Sequence, residues 1–491
     1  MQVPSNDSSL DYARERVAES GGRELLERLE HLDAQRQRVR PAPDTPPSPD
    51  RETTPDYDVA LVGGGLSILV APILAAQGAK VAVFERAKAG KVHREWNASV
   101  SELDALVRSG LFERHELDEL IIKTYDYGFC RWNGLGTYPV KGVLDTPVDA
   151  GLLLERTRER AVSRGVAFFD RHTLLGQSEG PTAMRLRFES GGAVRDVTAR
   201  LMIDGRGASS PYATADLVCP TVGGVLAGLD EGDGPRQINP NVGEILETTE
   251  GLEDGRQHIW EGFPGRPDET TTYLFYYAAS SEVGPGALIR LYDRFFETLP
   301  RYKTGAYTML RPTFGFIPGW SRLSAAPQAP GSRIALIGDA ASRHSPLTFC
   351  GFGCMLRSLQ PATTAVTDAL NRRWLREGDL ACIVDDAPVH RGSGLLSWMM
   401  AHPDRRPGRE NQLNILLDTA FSVLYELGDE VYAAMLKDEI GMKDFARFLH
   451  RTSMKRPRVY KDVFGRLGPS FVGRWGVSIA REIAGGRTSW R

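Results

Sequence analysis

YDVALVGGGLSILVAPILAAQGAKVAVFE, residues 57–85, decides how this chain folds. Tyr57 to Val62 is a short apolar run, the pattern of a strand buried on both faces of a parallel sheet. Three glycines follow, then an apolar run to Ala76 and a stop at Gly78, which reads as a helix. Lys80 to Glu85 (KVAVFE) is a second strand, so the segment is a βαβ unit. Gly63 permits the tight turn after the strand, and Gly65 lets backbone approach a pyrophosphate. The helix start offers free N–H groups and a positive dipole end to that anion. Glu85, 20 residues beyond Gly65, is placed to accept hydrogen bonds from an adenosine ribose. The third glycine of the usual spacing is Ile68, so helix and strand must pack differently there. A glycine turn with no ligand is the competing reading, and it leaves Glu85 unexplained.

Two later segments have the same strand-then-turn form. LMIDGRGASS, 201–210, is an apolar strand ending in Asp204-Gly205. RIALIGDAASRHSPLTFCGFGCMLRS, 333–358, is a buried strand ending in Gly338-Asp339-Ala340-Ala341, with Pro346 and Gly351-Phe352-Gly353 opening a helix. An Asp at such a strand end accepts hydrogen bonds from sugar hydroxyls, and a glycine-rich helix start favours an anionic ligand. Gly315-Phe316-Ile317-Pro318 supplies a turn upstream.

Outward from these motifs, the chain divides into five parts. Residues 1–55 are an N-terminal helix and a proline-rich linker, RPAPDTPPSPDRETTP, whose composition cannot order itself. Leu25, Leu26, Leu29 and Leu32 share one face of that helix, which docks either on a partner or on its own body. Residues 56–211 and 316–365 form the dinucleotide-binding domain, and 212–315 a β-rich substrate domain. Within the first part, Val148 to Arg164 reads as a helix with Leu152, Leu153 and Leu154 inward. Residues 366–491 are helical. There Leu413, Leu416, Leu417, Ala420, Phe421, Leu424, Leu427 and Val431 form one stripe, for packing on the body or for a membrane surface. The expected fold is α/β: a Rossmann-like three-layer domain with an inserted, mainly antiparallel α+β substrate domain.

Composition narrows the function. Net charge is −3, with 25% charged residues, so there is no electrostatic footprint for nucleic acid. Cys130, Cys219, Cys350, Cys354 and Cys382 make no CxxC pair, which suits a reduced, cytoplasmic chain. Cys350 and Cys354 flank the glycines that open the third motif's helix and read as buried thiols. His93, His258 and His344 lie near motifs without HxxH spacing, so no metal site is expected. No apolar run is long enough for a membrane span, and the start of the sequence lacks a signal-like apolar core.

The three motifs in this order resemble the FAD-dependent family of aromatic hydroxylases, prenyl reductases and lycopene cyclases. More narrowly, Arg94-Glu95-Trp96-Asn97, with Ser99, Glu102-Leu103 and Gly110-Leu111, resembles the REWNIS…EL…GL segment of the Cru-type lycopene cyclases. Asn239-Pro240-Asn241-Val242-Gly243-Glu244 and Gln257-His258-Ile259-Trp260-Glu261 with Phe263-Pro264 are similar too. The resemblance implies FAD, held by Gly63, Gly65, Glu85, Arg94, Asn97, Asp204, Asp339, Pro346, Gly351 and Gly353, with NAD(P)H keeping it reduced. It also implies redox-neutral cyclisation of lycopene or a related carotene by a protein peripheral to the membrane. A buried carboxylic acid protonates the terminal C=C, the cation closes the ring and a proton leaves. The rival readings are an NAD(P)H-consuming prenyl or carotenoid reductase, a monooxygenase, and a non-catalytic flavin- or carotenoid-binding paralogue. The WxWxIP signature of flavin halogenases is absent.

In other lycopene cyclases a paired-carboxylate motif sits on a substrate-domain strand. Its counterpart by chain order, Tyr273-Leu274-Phe275-Tyr276-Tyr277, carries no carboxylate. Glu261 is therefore the first candidate acid, followed by Glu244 and Glu247; each is equally readable as an exposed strand glutamate. Trp260, Phe263, Tyr273, Phe275, Tyr276 and Tyr277 either line a polyene tunnel, with cation–π stabilisation, or form an aromatic sheet core.

Overall fold

The structure, a computed structural model, describes residues 7–35, 43–92, 96–213, 215–319, 330–341, 347, 351–372, 375–376, 379–380 and 389–484. His93, Arg94, Glu95, His344, Pro346, Cys350 and Cys382 lie outside the described residues.

The predicted βαβ unit forms. Tyr57–Val62 pairs in parallel with Val81–Glu85 on one side and with the end of Ala193–Asp204 on the other. Ala167–Asp170 adds outside the second strand, and Ile334–Leu336 pairs with the end of Ala193–Asp204. These five strands make a parallel sheet with the motif residues at their carboxyl ends, where open α/β sheets bind ligands. The first half of Ala193–Asp204 instead pairs antiparallel with Met184–Ser190, so one strand serves both ladders. Helices Val70–Ala76, Val100–Arg108, Ala150–Ser163 and Gly351–Asn371 contribute to the core on one face of this sheet. Leu153 and Leu154 are buried there as expected, and Leu152 packs at the margin.

The second sheet has eight strands and is mainly antiparallel. It draws on Leu217–Leu229, Val242–Glu247, Ile259–Pro264, Glu269–Phe275 and Gly305–Gly319. Two of its strands, Tyr127–Arg131 and Thr137–Val140, come from the earlier 56–211 stretch. The reading of 212–315 as β-rich missed the helix Ala287–Tyr302. Its aromatics resemble strand residues, but Leu288, Leu291, Tyr292, Phe295, Leu299 and Tyr302 recur at helical spacing and are all buried.

The leading helix, Asp7–Gln35, docks on its own body. It bends at Gly22 and buries Ala13, Val17 and Leu29 against the helix Ala287–Tyr302 and the second sheet. Asp33, buried on folding, accepts hydrogen bonds from the backbone N–H of Leu288 (3.0 Å) and Ile289 (3.3 Å). It thereby caps a helix whose own N-cap, Gly286, has no side chain to do so. The proline-rich stretch is likewise not free. Asp44 N–H donates to Leu175 O (3.1 Å), Ser178 Oγ donates to Pro47 O (3.2 Å), and Arg187 pairs with Asp44 (3.0 Å). Residues 43–50 cannot order themselves, yet they are ordered by the strands they lie on.

In the C-terminal region, Leu413, Leu416, Leu417, Ala420, Phe421 and Leu424 are buried on the helix Gln412–Leu427. The stripe packs on the body and is not a membrane face. Among the described residues, no helix is long and apolar enough to cross a membrane.

Replacing Asp33 by Ala removes a buried cap and is expected to cost about 1–2 kcal/mol. A lowered midpoint of chemical denaturation, with faster proteolysis within residues 7–35, checks this; an unchanged midpoint would show that water caps the helix equally well.

Candidate functional site

The turn after the first strand is built by backbone meeting backbone. Gly63 has φ +118°, and a Cβ there would overlap the carbonyl of Gly205. Gly205 is itself required, because a Cβ on it would strike Ser67. This answers the missing third glycine: Ile68 is a core residue, and the close approach is made between Ser67 and Gly205 on the neighbouring strand. Ser67 Oγ fixes the loop by donating to Gly63 O (2.9 Å). Leu66–Leu69 is a 3-10 turn, so the helix proper starts only at Val70. A Cβ on Gly65, by contrast, would meet nothing within 4 Å, since that residue faces open space.

That space is a cavity of ≈ 670 Å³, within the roughly 300–1,000 Å³ typical of small-molecule sites. It runs from the glycine loop and Glu85, past Asn97, Arg206 and Asp339, to the inner face of the second sheet. Glu85 accepts from Gly64 N–H (2.6 Å) and Ala87 N–H (2.9 Å), so the ribose candidate also anchors its own loop. Asn97 lies on a short strand paired with Thr146–Val148, beside Trp96, which stacks on Phe352 at 5.1 Å. Its Oδ1 is buried without a hydrogen-bond partner, as is Oγ1 of Thr313 on the opposite wall. Two lining residues thus each carry an unpartnered polar atom, an amide oxygen that accepts and a hydroxyl that can donate or accept, which suits a polar ligand in this cavity.

Not every candidate reaches this cavity. Gly63, Gly65, Glu85, Asn97, Asp339 and Gly351 line it. Asp204 does not: its carboxylate is fully buried and accepts from Arg206 (2.7 and 3.0 Å) and Ser210 Oγ (2.8 Å). It positions Arg206, and Arg206 is the lining residue. Gly353 also lies off the cavity, and a Cβ on it would strike the Glu102 carboxylate. That carboxylate closes a capping box with Ser99 and pairs with Arg357. The contacts Arg94 and Pro346 fall outside the described residues.

The three candidate acids separate by sheet face. Glu261 lines the cavity, opposite Tyr273 in the ladder, with Phe263, Phe275 and Ile317 among the apolar residues that line it too. Burial pushes its carboxyl up to about 8, so it holds its proton at neutral pH. The carboxylate missing from Tyr273–Tyr277 is thus present one strand away. Glu244 and Glu247 lie outside the cavity. Glu244 accepts from Tyr302 Oη and pairs with the buried Lys303 (2.6 Å). Glu247 pairs with Arg131 (2.7 Å), and burial together with the nearby Glu244 raises its carboxyl. Of the aromatics, Phe263, Tyr273 and Phe275 line the cavity, whereas Trp260 stacks on Tyr302 at 4.5 Å in the core behind the sheet. Tyr276 packs on His258 (5.7 Å), and Tyr277 donates to Leu347 O (2.5 Å). Glu250, Glu253 and His258 do come together, but Arg294 already occupies both carboxylates.

Sequence reading missed Ser67, Gly205, Arg206 and Thr313. Arg206 stood beside the Asp-Gly pair and was findable; Thr313 had no signal beyond strand alternation.

A parallel sheet carrying three glycine- or aspartate-ended strands, crossed by an antiparallel second sheet, defines the FAD-binding flavoprotein fold. No family model matches the chain, and no curated protein matches it. Among solved structures, it is similar to halogenase PltM in complex with phloroglucinol and FAD, at TM-score 0.58 and 12% identity over 86% of this chain and 96% of that one. It is also similar to a geranylgeranyl bacteriochlorophyll reductase-like protein from Thermoplasma acidophilum, at TM-score 0.53 and 15% identity, covering 83% and 98%. A third likeness is to p-nitrophenol 4-monooxygenase PnpA from Pseudomonas putida DLL-E4, at TM-score 0.55 and 14% identity, covering 78% and 99%. At such identities the likeness is one of fold.

Glu261 has a raised folded-state pKa, so the native protein holds a proton that the unfolded chain releases. Its contribution to stability is complete below the unfolded-chain value, 4.5, and is lost as pH rises through about 8. Glu261→Gln removes that dependence. The variant's melting temperature should gain on the parent's steadily between pH 5 and about 8; a constant difference would show Glu261 titrating normally.

Proposed function

We propose that this chain binds FAD in the cleft and is a flavin-dependent oxidoreductase that reduces a C=C bond of an apolar substrate of the prenyl or carotenoid class. One observation carries the reading. Among the described residues, Glu261 is the sole carboxylate that the second sheet contributes to the cavity shared with the glycine loop. The residues fit the cofactor: Gly65 leaves open space, Asn97 Oδ1 and Thr313 Oγ1 lack partners, and Glu85 and Asp339 face the same cleft. FAD, reduced by NAD(P)H, supplies the hydride when bound. Glu261 donates the proton to the other alkene carbon, and its carboxylate is reprotonated from solvent between turnovers. Phe263, Phe275 and Ile317, which line the same cavity, help exclude water and keep the acid neutral until substrate arrives.

A second reading keeps the same acid and changes the outcome. In a redox-neutral cyclase, Glu261 protonates the terminal C=C of an acyclic carotene, the cation closes a ring, and a proton is lost. The placement of Trp96 and Asn97, from the segment that resembles the Cru-type cyclases, at the cavity supports it. Product mass separates the two. Under anaerobic conditions the reduced flavoprotein should yield product heavier by two hydrogens, with one flavin reoxidised per product. A product of unchanged mass, or γ- or β-carotene in a lycopene-accumulating host, overturns reduction in favour of cyclisation; oxygen uptake points to a monooxygenase.

Under either chemistry, Glu261→Gln should lower turnover by about 10²–10⁴ with flavin content unchanged. The parent's rate should fall above about pH 8, as the acid loses its proton. Asn97→Leu should leave the flavin-free protein as stable or more so, because it removes an unpaired buried acceptor. It should also lower flavin retention. Lost stability with full flavin content would make Asn97 a structural residue.

A further inference from the structure

An apolar polyene or prenyl substrate resides in lipid, and on that reading the protein has to meet a membrane surface somewhere. The C-terminal helices carry a surface suited to it. Residues 451–480 contain seven Lys and Arg against one acid, Asp462, in a chain with 60 Lys and Arg against 63 Asp and Glu. Three of these cations are used internally: Lys455 pairs with Glu426, Arg456 with Asp462 (2.8 Å), and the buried Arg466 with Asp404 (3.4 Å). Arg451, Arg458, Lys461 and Arg474 are exposed and make no ion pair among the described residues.

Exposed apolar side chains are concentrated in the same stretch. Met454 is 70% exposed, Tyr460 46%, Phe464 42% and Val477 51%. Tyr460 and Phe464 are four residues apart on the helix Val459–Leu467, hence on one face, and Tyr460 Oη shares a hydrogen bond with Ser453 Oγ (2.8 Å), beside Met454. Leu467 packs at the margin of a cluster in which Val463 of this helix and Val472 of Pro469–Ala484 pack inward with Leu395 and Met399 of Val389–Ala401. That helix in turn leans on the second sheet through Leu217–Leu229 and Ala278–Ala279.

We propose that this face, Met454, Tyr460 and Phe464 with Arg451, Arg458 and Lys461 close by in sequence and Arg474 on the following helix, docks on an anionic lipid bilayer. Charge complementarity selects that occupant: cations without an ion-pair partner attract acidic headgroups, and the aromatic and thioether side chains enter the headgroup boundary. The opposite sign of the remaining chain orients the molecule, turning its acidic surface away from the bilayer.

Flotation of the FAD-loaded full chain with vesicles tests this. Vesicles of phosphatidylcholine with phosphatidylglycerol should carry the protein, and phosphatidylcholine alone should not. High salt should release it. Replacing Arg451, Arg458, Lys461 and Arg474 together by Gln should weaken binding by a hundredfold or more, on the order of four lost charge contacts. Phe464→Ser with Met454→Ser should weaken it at low salt. Equal binding to both vesicle types, none to the anionic ones, or unaltered binding by the Gln variant would overturn the proposal. So would tight binding of a single-stranded oligonucleotide that anionic vesicles fail to displace. Flavin content and turnover of detergent-dispersed substrate should be unchanged in these variants, so failure of the docking surface is separable from failure of the reaction.

Discussion

The fold rests on one close contact between two turns. The Gly205 carbonyl occupies the position a side chain on residue 63 would need, and the Gly205 N–H donates to Val62 O at 2.8 Å. The first strand also receives its second neighbour there, since Gly63 N–H donates to Phe84 O at 2.9 Å. Three strand ends are thereby drawn level, and the loop that turns off the first of them opens over the cavity instead of folding onto the sheet. Without that approach, Glu85 and Arg206 would not face a common space.

The second sheet divides the remaining chemistry by its pleat. Successive residues of Ile259–Pro264 point to opposite faces, so Glu261 and Phe263 meet the cavity while Trp260 enters the core under the helix Ala287–Tyr302. The same alternation places Glu244 beneath that helix with Tyr302 and Lys303. A carboxylate with a lysine and a tyrosine has its charge answered. One among phenylalanines does not, and keeps a proton instead. The difference between an ion-pair member and an acid is thus one of face.

How much of this was legible follows from the range of the signals. The βαβ unit was readable because its strand, glycines, helix and terminal acid lie within 29 contiguous residues. The cleft could be placed for the same reason, and Asp339 and Gly351 with it. Asp204 was misplaced because an aspartate before a glycine looks alike whether it faces a ligand or holds the next arginine. The ranking of Glu261 above Glu244 matches the face each occupies, but sequence could not supply the register that sets Glu261 opposite Tyr273. Nor could it show the helix Asp7–Gln35 returning to a helix more than 250 residues later. Long-range pairing leaves no local mark.

That return has a consequence for biosynthesis. The helix Asp7–Gln35 leaves the ribosome long before its partner does: Leu288 and Ile289, which Asp33 caps, emerge 255 residues or more after it. At about 5–20 residues per second, its apolar stripe waits for roughly 10–50 s before a surface exists to cover it. During that interval the nascent chain presents Val17, Leu25, Leu29 and Leu32 uncovered, a natural handle for a holding chaperone. The second sheet can close its outer core only once translation has passed residue 302.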